Sequence, residues 1–154
     1  MGKGGGQMAP ADKDDDARAI RALIGDHFRG LRWSPATRPD WDAFTADFLP
    51  DAALFPAARP VRRQTLEAFI ARMNGLAQGT LHSFEETTLG MQIQVFGNVA
   101  VVMAASEMVE NGSTVNQDVS AYLLLKDAGA WRIAAHAWDH AVEGRPVPEH
   151  LRRA

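Results

Sequence analysis

GNVAVVMAASEMVENGSTVNQDVSAYLLLKDAGAWRIAAHAW, residues 97–138, decides the fold. The run Val99 to Ala105 follows Phe96-Gly97-Asn98, Asn111-Gly112 breaks the next run, and Asp127-Ala128-Gly129 separates Val119 to Leu125 from Trp131-Arg132-Ile133. Gly-Asn and Asn-Gly supply the positive φ that tight hairpins need, so the stretch predicts an antiparallel meander. Immediately upstream, residues 81–96 are rich in Thr, Ile, Val and Phe and predict the first long strand, bulged at Gly90. Downstream, Pro146 and Pro148 each remove a backbone donor and cannot continue a central strand.

Further toward the N-terminus the period changes. Ile20, Leu23, Ile24, His27, Phe28 and Leu31 recur at steps of three and four, predicting a helix over 17–31 with one buried stripe, ended by Gly30 and Ser34-Pro35. Asp40 is the expected N-cap of a second, shorter helix that carries Trp41, Phe44 and Phe48 on one face and stops before Pro50. Ala52 to Phe55 then reads as a short strand. Residues 64–77 predict a third helix with Leu66, Phe69, Ile70 and Met73 inward and Asn74-Gly75 as its terminator. Helices first and strands last is the pattern of an α+β domain whose helices cover one face of an antiparallel sheet. The low-complexity residues 1–16, with Gly4-Gly5-Gly6 and an Asp-rich run, predict a disordered arm ahead of a single domain over 17–154.

The chain has 154 residues, 46% hydrophobic and 23% charged, with 16 basic and 19 acidic side chains. It is long enough for one well-buried core and too short for two ordinary domains. No basic block stands out, so no nucleic-acid partner is expected. No apolar run approaches a membrane span, so no membrane partner is expected either. The sequence contains no cysteine, which excludes disulfides, thiolate metal sites and a cysteine nucleophile and is compatible with the cytoplasm, the default placement.

Several segments carry a family resemblance. Trp41-Asp42-Ala43-Phe44 leads to Pro50-Asp51-Ala52-Ala53-Leu54, the helix around Leu66-Glu67-Ala68-Phe69-Ile70 follows, then Phe96-Gly97-Asn98-Val99-Ala100-Val101-Val102, then Gly129-Ala130-Trp131-Arg132-Ile133 with Trp138-Asp139. On these residues the chain resembles the nuclear transport factor 2-like superfamily, the cone-shaped α+β fold shared with ketosteroid isomerase and the SnoaL-like cyclases. The resemblance implies three N-terminal helices on a strongly curved, mainly antiparallel sheet, an apolar pocket on the concave face, and a homodimer through the outer face. It does not carry over the isomerase machinery. Phe55-Pro56 stands near the place of the general base, Ala121 where a neutral aspartate would lie, and the only tyrosine, Tyr122, is not in the first helix.

Alternation suggests which side chains line the pocket. In the third long strand the apolar set Val119, Ala121, Leu123 and Leu125 is expected inward, against Asp118, Ser120 and Tyr122. In the last strand Trp131, Ile133, Ala135 and Ala137 compete with His136, Trp138 and His140, and periodicity leaves both sets open. The resemblance favours the second, putting His136 and Trp138 in the pocket with Val102, Ser106 and Met108 from the neighbouring strand. His136 is the candidate acid–base residue. Ser106, Met108, Val102, Ala121, Leu123 and Trp138 are the candidate ligand-binding residues. Glu85 and Glu86 fall on opposite faces, so one of them, or Glu107, is a candidate pocket acid; solvation or pairing with an arginine is the alternative. His27 reads as a core histidine with a partner. Trp33 and Trp41 read as core, or as a lid over a flat ligand. His136 and His140 share a strand face about 13 Å apart, too far for one metal ion. No metal and no cofactor is expected. Two functions fit: an enzyme that isomerises, dehydrates or cyclises a small lipophilic molecule, or a non-catalytic ligand-binding or association module.

Overall fold

The computed structural model describes residues 13–153. The arm expected over residues 1–16 lies mostly outside the described residues, but its last four belong to a helix: α1 runs Lys13–Gly25. Asp14, Asp15 and Asp16 form the first turn of α1, where the helix dipole favours negative charge. The expected end at Leu31 is also corrected. The α-helix stops at Gly25, and a 3₁₀ turn, His27–Gly30, carries the buried stripe onward through His27 and Phe28. A two-residue strand β1, Arg32–Trp33, follows.

Asp40 caps α2, Trp41–Thr45, by accepting from the Ala43 N–H at 3.1 Å. This helix is shorter than its spacing predicts. Phe48 and Pro50 lie in strand β2, Phe48–Phe55, rather than in the helix. Strand β3 is Gln64–Thr65, and the Thr65 hydroxyl accepts from the Ala68 N–H to start α3, Leu66–Gln78. Gly75 sits inside α3 and does not terminate it. The remaining strands are β4, Phe84–Phe96; β5, Val99–Glu110; β6, Thr114–Asp127; and β7, Ala130–His140. The turns between them hold Gly97, Gly112 and Gly129 at positive φ, as their sequences require.

Among the described residues one seven-stranded sheet forms, in the order β1-β4-β5-β6-β7-β2-β3. It is antiparallel except where β2 lies parallel to β7, and it curls into a half-barrel with the helices inside the curve. This is the cone-shaped α+β fold that the sequence implies.

Two bulges set which side chains face inward. Leu89 is the extra residue of β4, so Phe84, Glu86 and Thr88 share the inner face with Met91, Ile93 and Val95 beyond it. In β7 the register slips at Ala134, between the pairs Leu124↔Ile133 and Leu123↔Ala135. That slip resolves the two competing sets in the last strand: Trp131 and Ile133 point inward before it, His136 and Trp138 after it.

Strand β6 overturns the expected assignment of faces. Asp118, Ser120, Tyr122 and Leu124 are buried on the inner face, while Leu123 is 41% exposed on the other side. Ala121 borders an outer groove with Met103, Val119 and Ala137. The physical reason is that the outer face of this sheet is itself apolar and the inner face holds a polar cavity wall, so hydrophobicity runs opposite to burial. Part of the outer face is covered by the C-terminal segment, where Val147 and Leu151 pack on Ala105, Leu89 and Val119. Gly90 makes this possible, since a Cβ there would lie 2.6 Å from the Leu151 carbonyl oxygen and 2.4 Å from that of Arg153.

Candidate functional site

The concave face and the helices enclose a cavity of about 160 Å³. Its apolar lining comes from Phe28, Phe44, Leu54, Phe69 and Met73, with Trp138 and Met108 from the sheet. Its polar wall comes from neighbouring strands: Glu86 from β4, Asp118 and Ser120 from β6, and His136 and His140 from β7. Register explains this grouping. Ser106 of β5 lies opposite Asp118 and opposite Thr88, one diagonal step from Glu86. Tyr122 lies opposite His136, Ser120 opposite Trp138, and Asp118 opposite His140.

Ser106 Oγ lies 2.8 Å from Glu86 Oε2 and 2.6 Å from Asp118 Oδ1, with all three side chains buried. A hydroxyl has one proton to give, so it donates to one carboxylate and accepts from the other, which must then carry a proton. Burial, reinforced by the charge of Asp118, pushes the Glu86 carboxyl up to about 8. Burial also raises Asp118, but His140 across the strand pair opposes the rise. The proton therefore resides on Glu86, whose O–H donates to Ser106, and Ser106 donates to the Asp118 carboxylate. A carboxylic acid and a carboxylate thus share one wall, linked through a hydroxyl.

His136 is 6% exposed; its Nε2 shares a 2.8 Å hydrogen bond with Ser120 Oγ, and its ring stacks on Tyr122 at 4.2 Å. Burial first, and His27 second, hold the imidazole well below its ordinary range, so it is neutral at pH 7. His27 is fully buried behind the cavity, stacked on Phe44, and its Nδ1–H donates to Asp47 Oδ2 at 2.9 Å. Arg29 donates to the same carboxylate at 3.1 Å. Burial lowers the His27 imidazole despite its aspartate partner.

The sequence-derived candidates divide accordingly. His136, Trp138 and Met108 line the cavity, Ser106 stands in its polar wall and Val102 is buried in the adjoining core. Ala121 and Leu123 lie on the far side of the sheet and are not part of it. Of the candidate acids, Glu86 is the one inside. Hydrophobicity alone does not reveal Asp118 and Ser120 as pocket residues, and a two-residue turn at Asn111-Gly112 would set Gln117 opposite Ser106; the turn takes three residues, Asn111 to Ser113, pairing Glu110 with Thr114 and so bringing Asp118 opposite Ser106. Trp33 and Trp41 are tied into the wall by N–H donation to the Leu81 carbonyl and to Asn74 Oδ1, both at 2.8 Å, and neither is a free lid. Among the described residues, no three His, Asp or Glu side chains gather closely enough to hold a metal ion, and no helix is long and apolar enough to cross a membrane.

No family model matches the chain, and no curated protein sequence matches it. Solved structures do. An NTF2-like protein of unknown function from Pseudomonas putida KT2440 superposes with a TM-score of 0.66 at 14% identity, covering 93% of this chain and 94% of its own. A hexachlorocyclohexane dehydrochlorinase, LinA-type3 from Novosphingobium barchaimii LL02, gives 0.64 at 14% identity, over 84% of this chain and 92% of that one. A protein of unknown function with a cystatin-like fold from Nostoc punctiforme PCC 73102 gives 0.65 at 14% identity, over 85% of this chain and 94% of that one. At these identities the likeness is one of fold: the chain has the NTF2-like, cystatin-like architecture.

Proposed function

We propose that this chain is a cofactor-free acid–base enzyme of the cytoplasm that takes a small lipophilic molecule into the cavity and moves a proton on it, in an isomerisation, dehydration or cyclisation. The observation that carries this reading is the Glu86–Ser106–Asp118 array, in which one carboxyl is an acid while its neighbour is a base. Such a pair can accept a proton from a substrate at Asp118 and supply one through Ser106 from Glu86, with no other group required. The apolar lining strengthens every polar contact made against that wall. In this reading Glu86 and Asp118 take the acid–base role first expected of His136, and neutral His136, held by Ser120, orients the substrate while Trp138 and Met108 shape the space. The dehydrochlorinase among the neighbours is named for a small ring compound, a ligand of the size class this cavity suits; fold alone assigns it no shared reaction.

A native mass spectrum compared with the denatured mass tests occupancy: an extra mass per subunit is expected. The released molecule, returned to the protein in D₂O, should acquire deuterium on carbon with the wild type and not with Asp118→Asn. Retention without exchange would favour a binding module instead.

That second reading has its own support. Val99, Val101, Met103 and Leu123 are each more than 40% exposed on the outer face, and Val101 lies directly opposite Leu123. An apolar patch of this kind suits a homodimer through the outer sheet, with or without catalysis in the cavity.

A further inference from the structure

The carboxyl pair in the polar wall presents acceptors to the cavity, beside the imidazoles of His136 and His140, and this selects among small molecules. In the Glu86–Ser106–Asp118 array both protons are consumed internally, one between Glu86 and Ser106 and one between Ser106 and Asp118. Each carboxyl has a second oxygen, and among the described residues no other side chain hydrogen-bonds to either carboxyl. Both residues line the cavity, where Phe28, Phe44, Phe69 and Trp138 supply aromatic surface. The one guanidinium in the lining, Arg72, is exposed on α3.

We propose that the occupant of this cavity is a small protonated amine with an apolar body, its ammonium donating to the second oxygens of Glu86 and Asp118 while the aromatic side chains surround it. The inference rests on the reading that the cavity takes a small molecule, and names its class. An ammonium brings three donors to a surface of acceptors, and aromatic rings attract its charge. A neutral alcohol brings one donor. A carboxylate brings none and adds a second negative charge beside Asp118. The volume suits a single ring, since a cavity of about 150 Å³ holds benzene. Binding also has a proton balance. With the ammonium in place Glu86 gives its proton to solvent; Ser106 keeps its donation to Asp118, and the Glu86 oxygen, no longer a donor to Ser106, accepts an N–H of the ammonium instead. The raised carboxyl of Glu86 places this release in the neutral range.

The test uses three probes of one shape, cyclohexylamine, cyclohexanol and cyclohexanecarboxylate, titrated calorimetrically into the full chain at pH 7 in two buffers of different ionisation enthalpy. The amine is expected to bind about tenfold or more tightly than the alcohol, the carboxylate not to bind, and the buffer dependence to show proton release with the amine alone. The double variant Glu86→Gln, Asp118→Asn should bind the amine no better than the alcohol. Alcohol binding retained by that variant, even if weaker, shows the cavity intact; if the variant fails to fold, proton release by the wild type decides, and amine binding without it overturns the carboxyl contact. Alcohol binding equal to or tighter than amine binding overturns the amine and leaves the cavity reading standing. Failure of all three also overturns the amine, and the cavity reading then stands or falls on the native mass spectrum.

Discussion

Glu86 and His136 face the same cavity and pull the pH response of stability in opposite directions. Glu86 keeps its proton in the native state up to about 8, whereas the unfolded chain loses it near 4.5. Between those values the folded protein holds the extra proton, so stability falls as pH rises, by up to about 1.4 kcal/mol per pH unit. His136 stays neutral when buried, whereas the unfolded histidine takes up a proton below about 6.5, so this group costs stability as pH falls. The two effects oppose one another in mildly acid solution and leave a net loss from neutrality to pH 8. Urea titrations at half-unit steps should show that alkaline loss in the wild type and its absence in Glu86→Gln; the same slope in both proteins would place the raised carboxyl elsewhere. His136→Gln should lessen the loss on the acid side. Much of this site was legible in advance. The inward parity of Ser106, Met108, His136 and Trp138 and the split of Glu85 from Glu86 follow from alternation and the family resemblance. Asp118 and Ser120 were not legible, because a polar cavity wall backed by an apolar outer face inverts the pattern that hydrophobicity reports.

At the scale of elements, single polar contacts decide how helices and tail dock. The Asp16 carboxylate in the first turn of α1 accepts from Lys126 Nζ at 2.9 Å and from Trp131 Nε1 at 3.1 Å, tying α1 to β6 and β7. Lys126 foremost holds that carboxyl below its usual range. Asp16→Ala leaves the buried Trp131 N–H without its partner and should cost about 1–3 kcal/mol in denaturant unfolding. Asp16→Asn, which retains an acceptor, should cost less; equal losses would mean that the charge on Lys126, not the indole bond, is what matters. At the other end of the chain Gly90→Ala drives a methyl group into the Leu151 and Arg153 carbonyls. Backbone cannot yield as a flexible side chain does, so the C-terminal segment should detach, with a loss of about 1–3 kcal/mol and faster trypsin cleavage at Arg152 or Arg153. A tail cleaved no faster than in the wild type would refute the steric account. Of these elements the long strands, their glycine turns and the Asp40 cap could be read from sequence. The ends of α1 and α2 could not, since Phe48 and Leu31 satisfy helical spacing while tertiary pairing claims them for a strand and a loop.

For the molecule as a whole, the outer face is divided. The C-terminal segment covers Leu89, Ala105 and Val119, leaving Val99, Val101, Met103 and Leu123 uncovered. If that remainder is the dimer interface, Met103→Asp should give a monomer by light scattering with its thermal unfolding still cooperative; a monomeric wild type would dismiss the interface. The closure of the half-barrel has a further consequence, for synthesis. Strand β2 is flanked lengthwise by β7, with Leu54 opposite His136 and Phe55 opposite Ala137, so its main partner leaves the ribosome after every other strand of the sheet. Until then Phe44, Phe48 and Leu54 have no completed wall to close against, and the nascent chain carries two open strand edges, on β2 and β6. A transcript truncated before Ala130 would therefore yield not a smaller cone but a sticky, chaperone-dependent fragment, because the same strand that brings His136 to the cavity is the one that shuts it.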